Sequence, residues 1–250
     1  EMLELNRISA GYGKQTVLDG ISVDFEKGKL TSIIGVNGCG KSTLLKAILG
    51  ILSLSNGEIF IDGENLLTIS RNEIARKIAY LSQGKNIPDM TVEQMVLHGR
   101  FPYLSYPRRY SSHDREVAIK AMEIVGVAEF AHKPLYSLSG GMRQNAYIAM
   151  ALAQDTDYIL LDEPTTYLDI AHQLELMRIL RKLADSGKGI VTVMHNLPIA
   201  FDFSDKLTVM SNGKIIAYGT PSEICESHIV EDIFGVKIKQ VQKGKYLYEY

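Results

Sequence analysis

The stretch GVNGCGKST, residues 35–43, decides the fold of this chain. It matches the pattern G-x-x-x-x-G-K-[ST], and it joins an apolar, strand-like run to a helical pattern. In this setting glycines let backbone N–H groups approach phosphate oxygens, and the start of a helix adds partial positive charge. The stretch therefore predicts a phosphate-binding loop rather than a plain glycine turn. The residues predicted to contact the nucleotide are Gly35, Asn37, Gly38, Cys39, Gly40, Lys41, Ser42 and Thr43.

Two side chains of this loop have predicted chemical roles. Lys41 is expected to bring its ammonium group to the β and γ phosphates, and Ser42 to offer its hydroxyl to Mg²⁺. The cation bridges β and γ oxygens and neutralises the charge that develops as the terminal phosphoryl group leaves. A nucleoside triphosphate and Mg²⁺ are therefore the predicted ligands.

A second motif, YILLDEPTT, ends an apolar run in two adjacent carboxylates, Asp162 and Glu163. The run predicts a strand, and open α/β sheets bind ligands at the carboxyl ends of their strands. Successive strand residues point to opposite sides. We therefore assign Asp162 to the metal and Glu163 to the attacking water as general base. A solvated pair at the end of a strand is the alternative.

Polar residues also follow two other predicted strands. Gln83 comes after IAYLS, and His195 comes after GIVTVM. Alone, the first is better explained as a surface glutamine and the second as a structural histidine. Their shared position after buried strands, in a chain with a phosphate loop, favours catalytic roles at the same site. Gln83 is predicted to hold water or the metal, and His195 to contact the terminal phosphate.

Strand and helix patterns alternate along much of the chain. The strand-like runs are LTSIIG (30–35), IAYLS (78–82), YILL (158–161), GIVTVM (189–194) and KLTVM (206–210). Such short apolar runs are typical of fully buried strands. The predicted apolar helix faces are Leu44, Leu45, Ile48, Ile51 and Leu52 in KSTLLKAILGIL, and Leu174, Met177, Leu180 and Leu183 in HQLELMRILRKLA. The alternation predicts an α/β fold with a parallel-rich sheet.

Two regions depart from that alternation. Residues 1–30 and 57–67 carry strand-like pieces bounded by Gly, Asp and Asn, which suit a small antiparallel sheet. Residues 91–154 are mostly helical in pattern, with a Pro- and Tyr-rich loop, FPYLSYPRRYSS. We predict a single domain over 1–250, made of a nucleotide-binding core with an antiparallel β subdomain (1–83 and 156–220), an inserted helical subdomain (84–155) and a C-terminal accessory segment (221–250).

The composition argues against two classes of protein. The 27 Lys and Arg against 29 Asp and Glu give a net charge of −2, so no basic field favours nucleic acid. No apolar run approaches the roughly 20 residues that span a bilayer, so any membrane role requires a partner. Cys39 and Cys225 show neither a disulfide framework nor metal-ligand spacing, and the start of the chain lacks a signal-peptide pattern. A cytoplasmic setting is expected.

The segment LSGGMRQ, residues 138–144, places two further glycines before a predicted helix, AYIAMALAQ. Ser139 is a plausible N-cap, and the glycine amides make an anion site without a lysine. An ordinary glycine-bearing helix start is the alternative for this segment alone. Phosphate loop, Gln83, LSGGMRQ, YILLDEPTT, the downstream YLD and His195 follow the order found in ATP-binding cassette (ABC) ATPases, which the whole chain resembles. The resemblance implies that one copy's signature motif binds the ATP of a second copy; its residues here are Leu138, Ser139, Gly140, Gly141 and Met142.

The same resemblance implies further roles. Tyr12, in SAGYGKQTVL, is similar to the aromatic residue that stacks on adenine; a tyrosine packed at a strand end is the alternative. Asp169, in TTYLD, resembles an aspartate that lies across the dimer interface. His195 resembles the switch histidine that contacts the γ-phosphate, and Gln83 the residue that links the nucleotide to a transmembrane partner.

Within the family, the chain is most similar to ATPase subunits of bacterial importers for iron-siderophore, haem or cobalamin. The likeness lies in GCGKSTLL, VLHGRFPYLSYPRRYSSHDREVAIKAME, RQNAYIAMALAQ and DEPTTYLDIAHQLELM. It implies a peripheral subunit at the cytoplasmic face of the cell membrane. Its expected partners are a second copy, polytopic permease subunits docked near residues 84–110 and, indirectly, a substrate-binding protein. A soluble ABC ATPase in assembly or regulation, and an exporter subunit, are the alternatives.

Three positions depart from the family's usual pattern. Met142 stands where Gln is usual in the signature, and Asn145 where this branch often has Arg. HNLPIA replaces the commoner HDLN pattern, which keeps His195 but changes its neighbour. Contacts near the partner's phosphates and around His195 are therefore expected to differ.

Overall fold

The computed structural model describes residues 1–84 and 87–249. Lys85 and Asn86, which belong to the predicted docking region, and Tyr250 lie outside the described residues. The strands are β1 (Met2–Tyr12), β2 (Gln15–Glu26), β3 (Leu30–Gly35), β4 (Leu54–Ile61), β5 (Glu64–Asn65), β6 (Ile78–Leu81), β7 (Tyr158–Leu161), β8 (Gly189–Val193), β9 (Lys206–Ser211), β10 (Lys214–Gly219), β11 (Lys237–Gln242) and β12 (Lys245–Glu249).

The helices connect or cover these strands. They are α1 (Lys41–Ile48), α2 (Arg71–Lys77), α3 (Val92–His98), α4 (Ser112–Ile124), α5 (Gly140–Ala153), α6 (Ile170–Asp185), α7 (Leu197–Phe203), α8 (Pro221–Glu226) and α9 (Ile229–Phe234). Several begin at a capping box, in which a Ser or Thr and the third helical residue satisfy each other's backbone N–H groups. None of the helices in the described part of the chain is long and apolar enough to cross a membrane.

The central sheet has the order β10-β9-β3-β8-β7-β6. Its neighbours pair in parallel except for β10, which runs antiparallel to β9. Strands β3, β7 and β8 are buried at every position, as their continuous apolar runs predict for a sheet covered on both faces. The carboxyl ends of β3, β6, β7 and β8 therefore meet at one edge of the sheet, which confirms the predicted α/β arrangement.

A smaller antiparallel sheet, β2-β1-β4-β5, covers one face of this core. Its apolar residues, such as Leu5 and Ile59, form one cluster with Leu44 and Ile48 of α1 and with Ile33 of β3. The predicted antiparallel sheet is thus confirmed. Its role in the fold is to hold α1, and with it the phosphate loop, between two sheets.

The other face of the central sheet carries most of the remaining helices, whereas Ile74 of α2 belongs to the first cluster. Met177 and Leu180 of α6 join Val96 of α3, Met122 of α4 and Ala149 of α5 in a second apolar cluster. Segment 91–154 is mostly helical, as predicted, and lies in the chain between β6 and β7. Helix α5, which begins at the signature glycines, therefore packs on the same core as the strands that precede the predicted polar site residues.

Three helix predictions need correction. Helix α1 ends at Ile48 because Gly50 adopts a left-handed conformation (φ 65°), so Ile51 is 62% exposed instead of extending the apolar face. Helix α5 begins at Gly140, six residues before AYIAMALAQ, so the signature glycines lie inside its first turn. On α6, Leu174 is partly buried and packs against the core as predicted, but the predicted face omits Leu176, which is buried beside Met177.

The C-terminal segment, where helix and strand patterns mix, forms α8, α9 and the hairpin β11-β12. Tyr246 of the hairpin is buried, and its ring packs on that of Phe201 with centroids 5.1 Å apart. The backbone N–H of Tyr246 also donates to Asp202. The hairpin is therefore anchored on α7.

Candidate functional site

The phosphate loop connects β3 to α1, as its sequence predicts. Gly38 (φ 78°) and Gly40 (φ 107°) adopt left-handed conformations that L side chains rarely enter, and Gly40 caps α1 without a side-chain hydrogen bond. At Gly35 a Cβ atom would overlap the backbone of Met210 and the Cys39 side chain. The glycines are therefore required by the turn itself, and they leave the first amides of α1 facing outward for an anion.

Lys41 is folded against the loop that carries it. Its side chain is buried, and Nζ donates to the carbonyl oxygens of Gly35 at 2.7 Å and Val36 at 3.0 Å. These neutral acceptors satisfy the ammonium group. The arrangement keeps a positive charge beside the first turn of α1, where phosphate oxygens would exchange with the carbonyls.

A cavity of about 440 Å³ opens above this loop. Its walls combine the phosphate loop with Glu163 and His195, which lie far apart in the sequence. Val17, on β2, also lines the cavity, and nothing in the sequence pattern singles it out. The lining residues are Val17, Asn37, Gly38, Gly40, Lys41, Ser42, Thr43, Glu163 and His195.

Asp162 follows β7 and faces the start of α1. The Ser42 hydroxyl donates to Asp162 Oδ1 at 3.0 Å, and the Tyr80 hydroxyl lies 3.4 Å from Oδ2. Burial raises the pKa of Asp162, and the hydrogen bonds from Ser42 and Tyr80 oppose that rise. A buried carboxylate paired with a hydroxyl is an oxygen donor set that suits Mg²⁺, with the remaining ligands supplied by phosphates and water. The predicted metal residues Ser42 and Asp162 thus fit the ion.

Glu163 lies between Gln83 and His195. Its Oε1 contacts His195 Nε2 at 2.6 Å, while its Oε2 accepts from Gln83 Nε2 at 2.9 Å and from the Thr166 hydroxyl at 3.2 Å. The backbone of Glu163 is left-handed (φ 52°), an uncommon state for a residue with a side chain and one that concentrates at functional sites. The three expected catalytic groups Glu163, His195 and Gln83 are therefore brought together, and Gln83 contacts Glu163 rather than Ser42.

A second cleft, of about 510 Å³, lies on the other side of Glu163. Its lining includes Gln83, Asp162 and Gly140. Glu163 therefore borders both the phosphate cavity and a cleft that reaches the first turn of α5. Within one chain, the signature segment approaches the acidic pair without being part of the phosphate cavity.

The signature residues form the start of α5. Ser139 is the N-cap, and its hydroxyl accepts from the Met142 backbone N–H at 3.3 Å, as predicted for a capping serine. Gly140 is exposed, whereas Leu138 and Gly141 are buried. Because Gly141 is buried and the Met142 N–H is bonded to Ser139, Gly140 is the residue of these three that an outside anion can reach.

The two other predicted site residues lie apart from the phosphate cavity. Tyr12 ends β1 and is 50% exposed, so its ring is free to stack on a base. Asp169 is the N-cap of α6, where its Oδ1 accepts from the His172 backbone N–H at 2.9 Å. This hydrogen bond and the His172 ring lower the pKa of Asp169. The roles assigned to both residues remain predictions.

Asn145 and Asn196, which depart from the family's usual pattern, have hydrogen-bond partners in the structure. Asn145 Nδ2 donates to the carbonyl of Val125, which ties α5 to the end of α4. Asn196, after His195, caps α7 and donates to Gln173 Oε1 at 3.4 Å. Gln173 in turn donates to the Leu168 carbonyl at 3.0 Å, so its Oε1 needs a donor, which an ionised aspartate at 196 would not provide.

The fold and the site define a phosphate-loop nucleotide-binding protein of the α/β class. A family model described as ABC transporter matches residues 18–166, from within β2 to the acidic motif. Since this match covers more than half of the chain, the protein belongs to the ABC transporter family, and it is an ATPase. The predicted fold class and family are both confirmed.

Curated relatives are similar over nearly the whole chain. The petrobactin import ATP-binding protein FpuD of Bacillus anthracis is 41% identical over 93% of this chain and 86% of its own length. The ferric enterobactin transport ATP-binding protein FepC of Escherichia coli K12 is 40% identical, with coverage of 92% and 86%. The iron(3+)-hydroxamate import protein FhuC of Bacillus subtilis is 39% identical, with coverage of 94% and 88%.

Solved structures of the family superpose well. The ADP conformation of MJ1267, an ATP-binding cassette of an ABC transporter, gives a TM-score of 0.83 at 27% identity and covers 93% of this chain and 95% of that chain. The dimeric structure of the cassette MJ0796 gives 0.75 at 27% identity, with coverage of 88% and 98%. The order and pairing of the elements described above are thus those of an ABC cassette.

Proposed function

We propose that this protein is the ATP-hydrolysing subunit of a bacterial ABC importer that takes up an iron–siderophore complex. The observation that carries the ATPase part is the Glu163 carboxylate, held between Gln83 and His195 at the edge of the phosphate cavity. The importer part is supported by relatives named for petrobactin, ferric enterobactin and iron-hydroxamate uptake. Haem and cobalamin are the less favoured cargoes, since none of these three relatives is named for them.

In this proposal ATP binds with its phosphates on the loop amides of residues 35–43. Lys41 leaves the carbonyls of Gly35 and Val36 for phosphate oxygens, and Ser42 and Asp162 hold the metal. Bound Mg²⁺ neutralises charge on the β and γ phosphates and so lowers the barrier to transfer. Tyr12 stacks on the adenine ring.

Glu163 acts as the general base. Its Oε1 lies against His195 and its Oε2 against Gln83, so the carboxylate is oriented at the cavity edge before any water arrives. It accepts a proton from water as the water oxygen attacks the γ phosphorus in line, and the ADP oxygen leaves on the opposite side. His195 is the group available to contact the γ-phosphate, because it lines the same cavity.

Two copies are proposed to enclose two ATP molecules. The signature residues 138–142 begin α5 with an exposed Gly140, and they would bind the ATP held by the other copy's loop. Asp169 would lie at the junction between the copies. The similarity to the dimeric MJ0796 cassette supports this arrangement.

The dimer is proposed to act at the cytoplasmic face of the membrane. Permease subunits dock near residues 84–110, where Phe101 is 43% and Tyr106 is 97% exposed, and a substrate-binding protein takes part indirectly. Closure on ATP and reopening after hydrolysis would be passed to the permease through the helices α3 to α5.

The test replaces Glu163 by Gln, which keeps the size of the side chain but exchanges one carboxylate oxygen for an NH₂ donor and so removes the base. We expect Glu163→Gln to bind ATP, to dimerise in MgATP and to hydrolyse ATP at least about 100-fold more slowly. Steady-state ATPase assays and sedimentation measure these quantities, and Glu175→Gln, an exposed change on α6, is the matched control.

Capture from membranes then tests the importer. The wild-type chain should retain a polytopic permease. In the ATPase assay, turnover of Glu163→Gln at the wild-type rate would show that Glu163 is not the general base. An ATP-driven dimer that retains no polytopic protein would favour the soluble ABC ATPase.

A further inference from the structure

The first turn of α6 contains a histidine, His172, to which no role has been assigned so far. His172 Nδ1 lies 2.9 Å from both carboxylate oxygens of Asp169, and the His172 backbone N–H donates to Oδ1 as well. The imidazole and the backbone N–H of His172 therefore both contact the Asp169 carboxylate. An N-cap needs only the backbone contact, so the ring contact is additional.

The opposite edge of the same ring packs against the start of α5. A Cβ atom built on Gly141 would overlap Cδ2 and Cγ of His172, so the imidazole occupies the space that a side chain at 141 would fill. Gly141 is buried although it lies in the first turn of an otherwise accessible motif. The glycine at this position is therefore required by a contact within one chain, independently of any phosphate.

His172 thus joins two segments that the sequence separates by about thirty residues. On one side is Asp169, whose side chain is 65% exposed and has, besides the ring, the N-cap hydrogen bond from the His172 backbone; on the other is the first turn of α5. The His172 side chain is itself 40% exposed and is not among the residues lining the phosphate cavity. Its contacts are with the exposed Asp169 carboxylate on one side and with the buried Gly141 on the other.

We propose that His172 is a positioning residue that fixes the Asp169 carboxylate relative to the signature helix, so that a second copy meets both as one preformed surface. The proposal rests on the ATP-enclosed dimer of the preceding section. If the two segments moved independently, each would have to be ordered when the copies associate, and that ordering would oppose dimer formation. The nucleotide affinity of a single copy does not depend on it, because Lys41 and the loop amides are elsewhere.

The experiment compares substitutions at His172 in two backgrounds. His172→Ala removes both contacts, whereas His172→Asn places an amide N–H close to where Nδ1 lies and keeps the donor to Asp169. Sedimentation in MgATP is measured in the Glu163→Gln background, and kcat, KM and binding of a fluorescent ATP analogue in the otherwise wild-type chain. Glu175→Ala, exposed on the same helix, is the control.

We expect His172→Ala to weaken ATP-driven dimerisation and to lower kcat by about tenfold, with analogue affinity and melting temperature close to those of the control. His172→Asn should recover most of the dimerisation. A His172→Ala chain that dimerises and turns over normally overturns the proposal, and so does a loss of nucleotide affinity or melting temperature that accounts for the lower kcat. Failure of Glu163→Gln alone to dimerise would instead overturn the proposed dimer and this inference with it.

A double-mutant cycle tests the contact with Gly141 directly. Gly141→Ala should impair dimerisation in the wild-type background, because the new methyl group overlaps the imidazole. In a His172→Ala background the same change should cost less, since the ring is gone. Equal losses in the two backgrounds would show that the ring does not set the position of α5, and would overturn the proposal.

Discussion

At the scale of single residues, the most buried ion pair lies outside the nucleotide site. Arg100 and Asp114 have side chains only 5% and 9% exposed, and their Nε and Oδ1 are 2.9 Å apart. Arg100 also donates to the carbonyl of Ala153 and lies over the ring of Tyr103. Because every charged group is satisfied, the pair holds the ends of α3, α4 and α5 together; with one partner removed, the other would be buried without compensation.

Replacing Asp114 by Asn should therefore destabilise the protein by about 3 kcal/mol at neutral pH. Burial alone would raise the pKa of Asp114, but hydrogen bonds from Ser111 and the charge of Arg100 outweigh it and lower the pKa from 3.8 to about 2. A lowered folded-state pKa contributes stability above the unfolded value and loses it as pH falls, here between about 4 and about 2. Denaturant titrations should show the difference between wild type and variant shrinking across that window.

A second ion pair of the helical segment provides the control for Asp114→Asn. In the more open pair of Arg115 and Glu93 the side chains are 54% and 25% exposed and 3.5 Å apart, and Glu93→Gln should change stability by less than about 1 kcal/mol. If Asp114→Asn were equally mild, or if its effect did not depend on pH below 4, the ion pair would not be holding the helical segment together.

At the scale of elements, one lysine connects the two sheets. Lys27, after β2, lies within 3.0 Å of Glu1, of Asp62 at the end of β4 and of Asp157 before β7. Burial would lower the pKa of Lys27, but its three carboxylate partners outweigh it and raise the pKa. Tyr158, buried at the start of β7, also donates to Asp62. The antiparallel sheet is thus pinned to the central sheet at the end opposite the phosphate loop.

Lys27→Met should destabilise the protein by about 1 kcal/mol, because it leaves three carboxylates near one another without a cation. The effect is kept small by Glu1 and Asp157, whose side chains are mostly exposed and can turn to water. Added salt should reduce the difference in the free energy of unfolding, since it screens the remaining repulsion. Lys214→Met, which breaks a pair with both side chains about 60% exposed, is the matched control and should be nearly neutral.

At the scale of the whole molecule, the loop proposed as the docking surface carries two exposed aromatic residues. In the segment between α3 and α4, Tyr106 is 97% exposed, and Phe101 lies below the guanidinium of Arg108. Aromatic and arginine side chains are favoured at protein interfaces. An apolar ring left so open on a folded chain supports the docking surface proposed for the permease.

Tyr106→Ala should therefore leave the ATPase rate of the isolated chain unchanged and reduce capture of a permease from membranes by about tenfold or more. Leu67→Ala removes a large side chain that is 68% exposed on the antiparallel subdomain and serves as the control. Equal capture by both variants would move the docking surface away from this loop.

The sequence was informative wherever a local pattern carries the chemistry. The glycines of 35–43, the strand that ends at Asp162 and the capping role of Ser139 follow from neighbours within a few residues. The two sheets and the helical segment follow from apolar periodicity. The predicted end of α1 was wrong by about one turn, because the helix stops before Gly50 although its apolar pattern continues to Leu52. A glycine can end a helix by adopting a left-handed conformation even where the apolar periodicity continues, and the sequence alone does not show whether it does so.

By itself, then, the sequence determined the kind of fold, the phosphate loop and the identity of the acidic pair, because those depend on contacts between residues close in the chain. The sequence also predicted that Gln83 and His195 share a site with the acidic pair. Only the tertiary structure decided that both contact Glu163, that Val17 lines the phosphate cavity and that His172 packs on Gly141. Such meetings depend on how separate strands and helices pack. Packing is set by the summed burial of the whole core and has no signature in any short stretch of sequence.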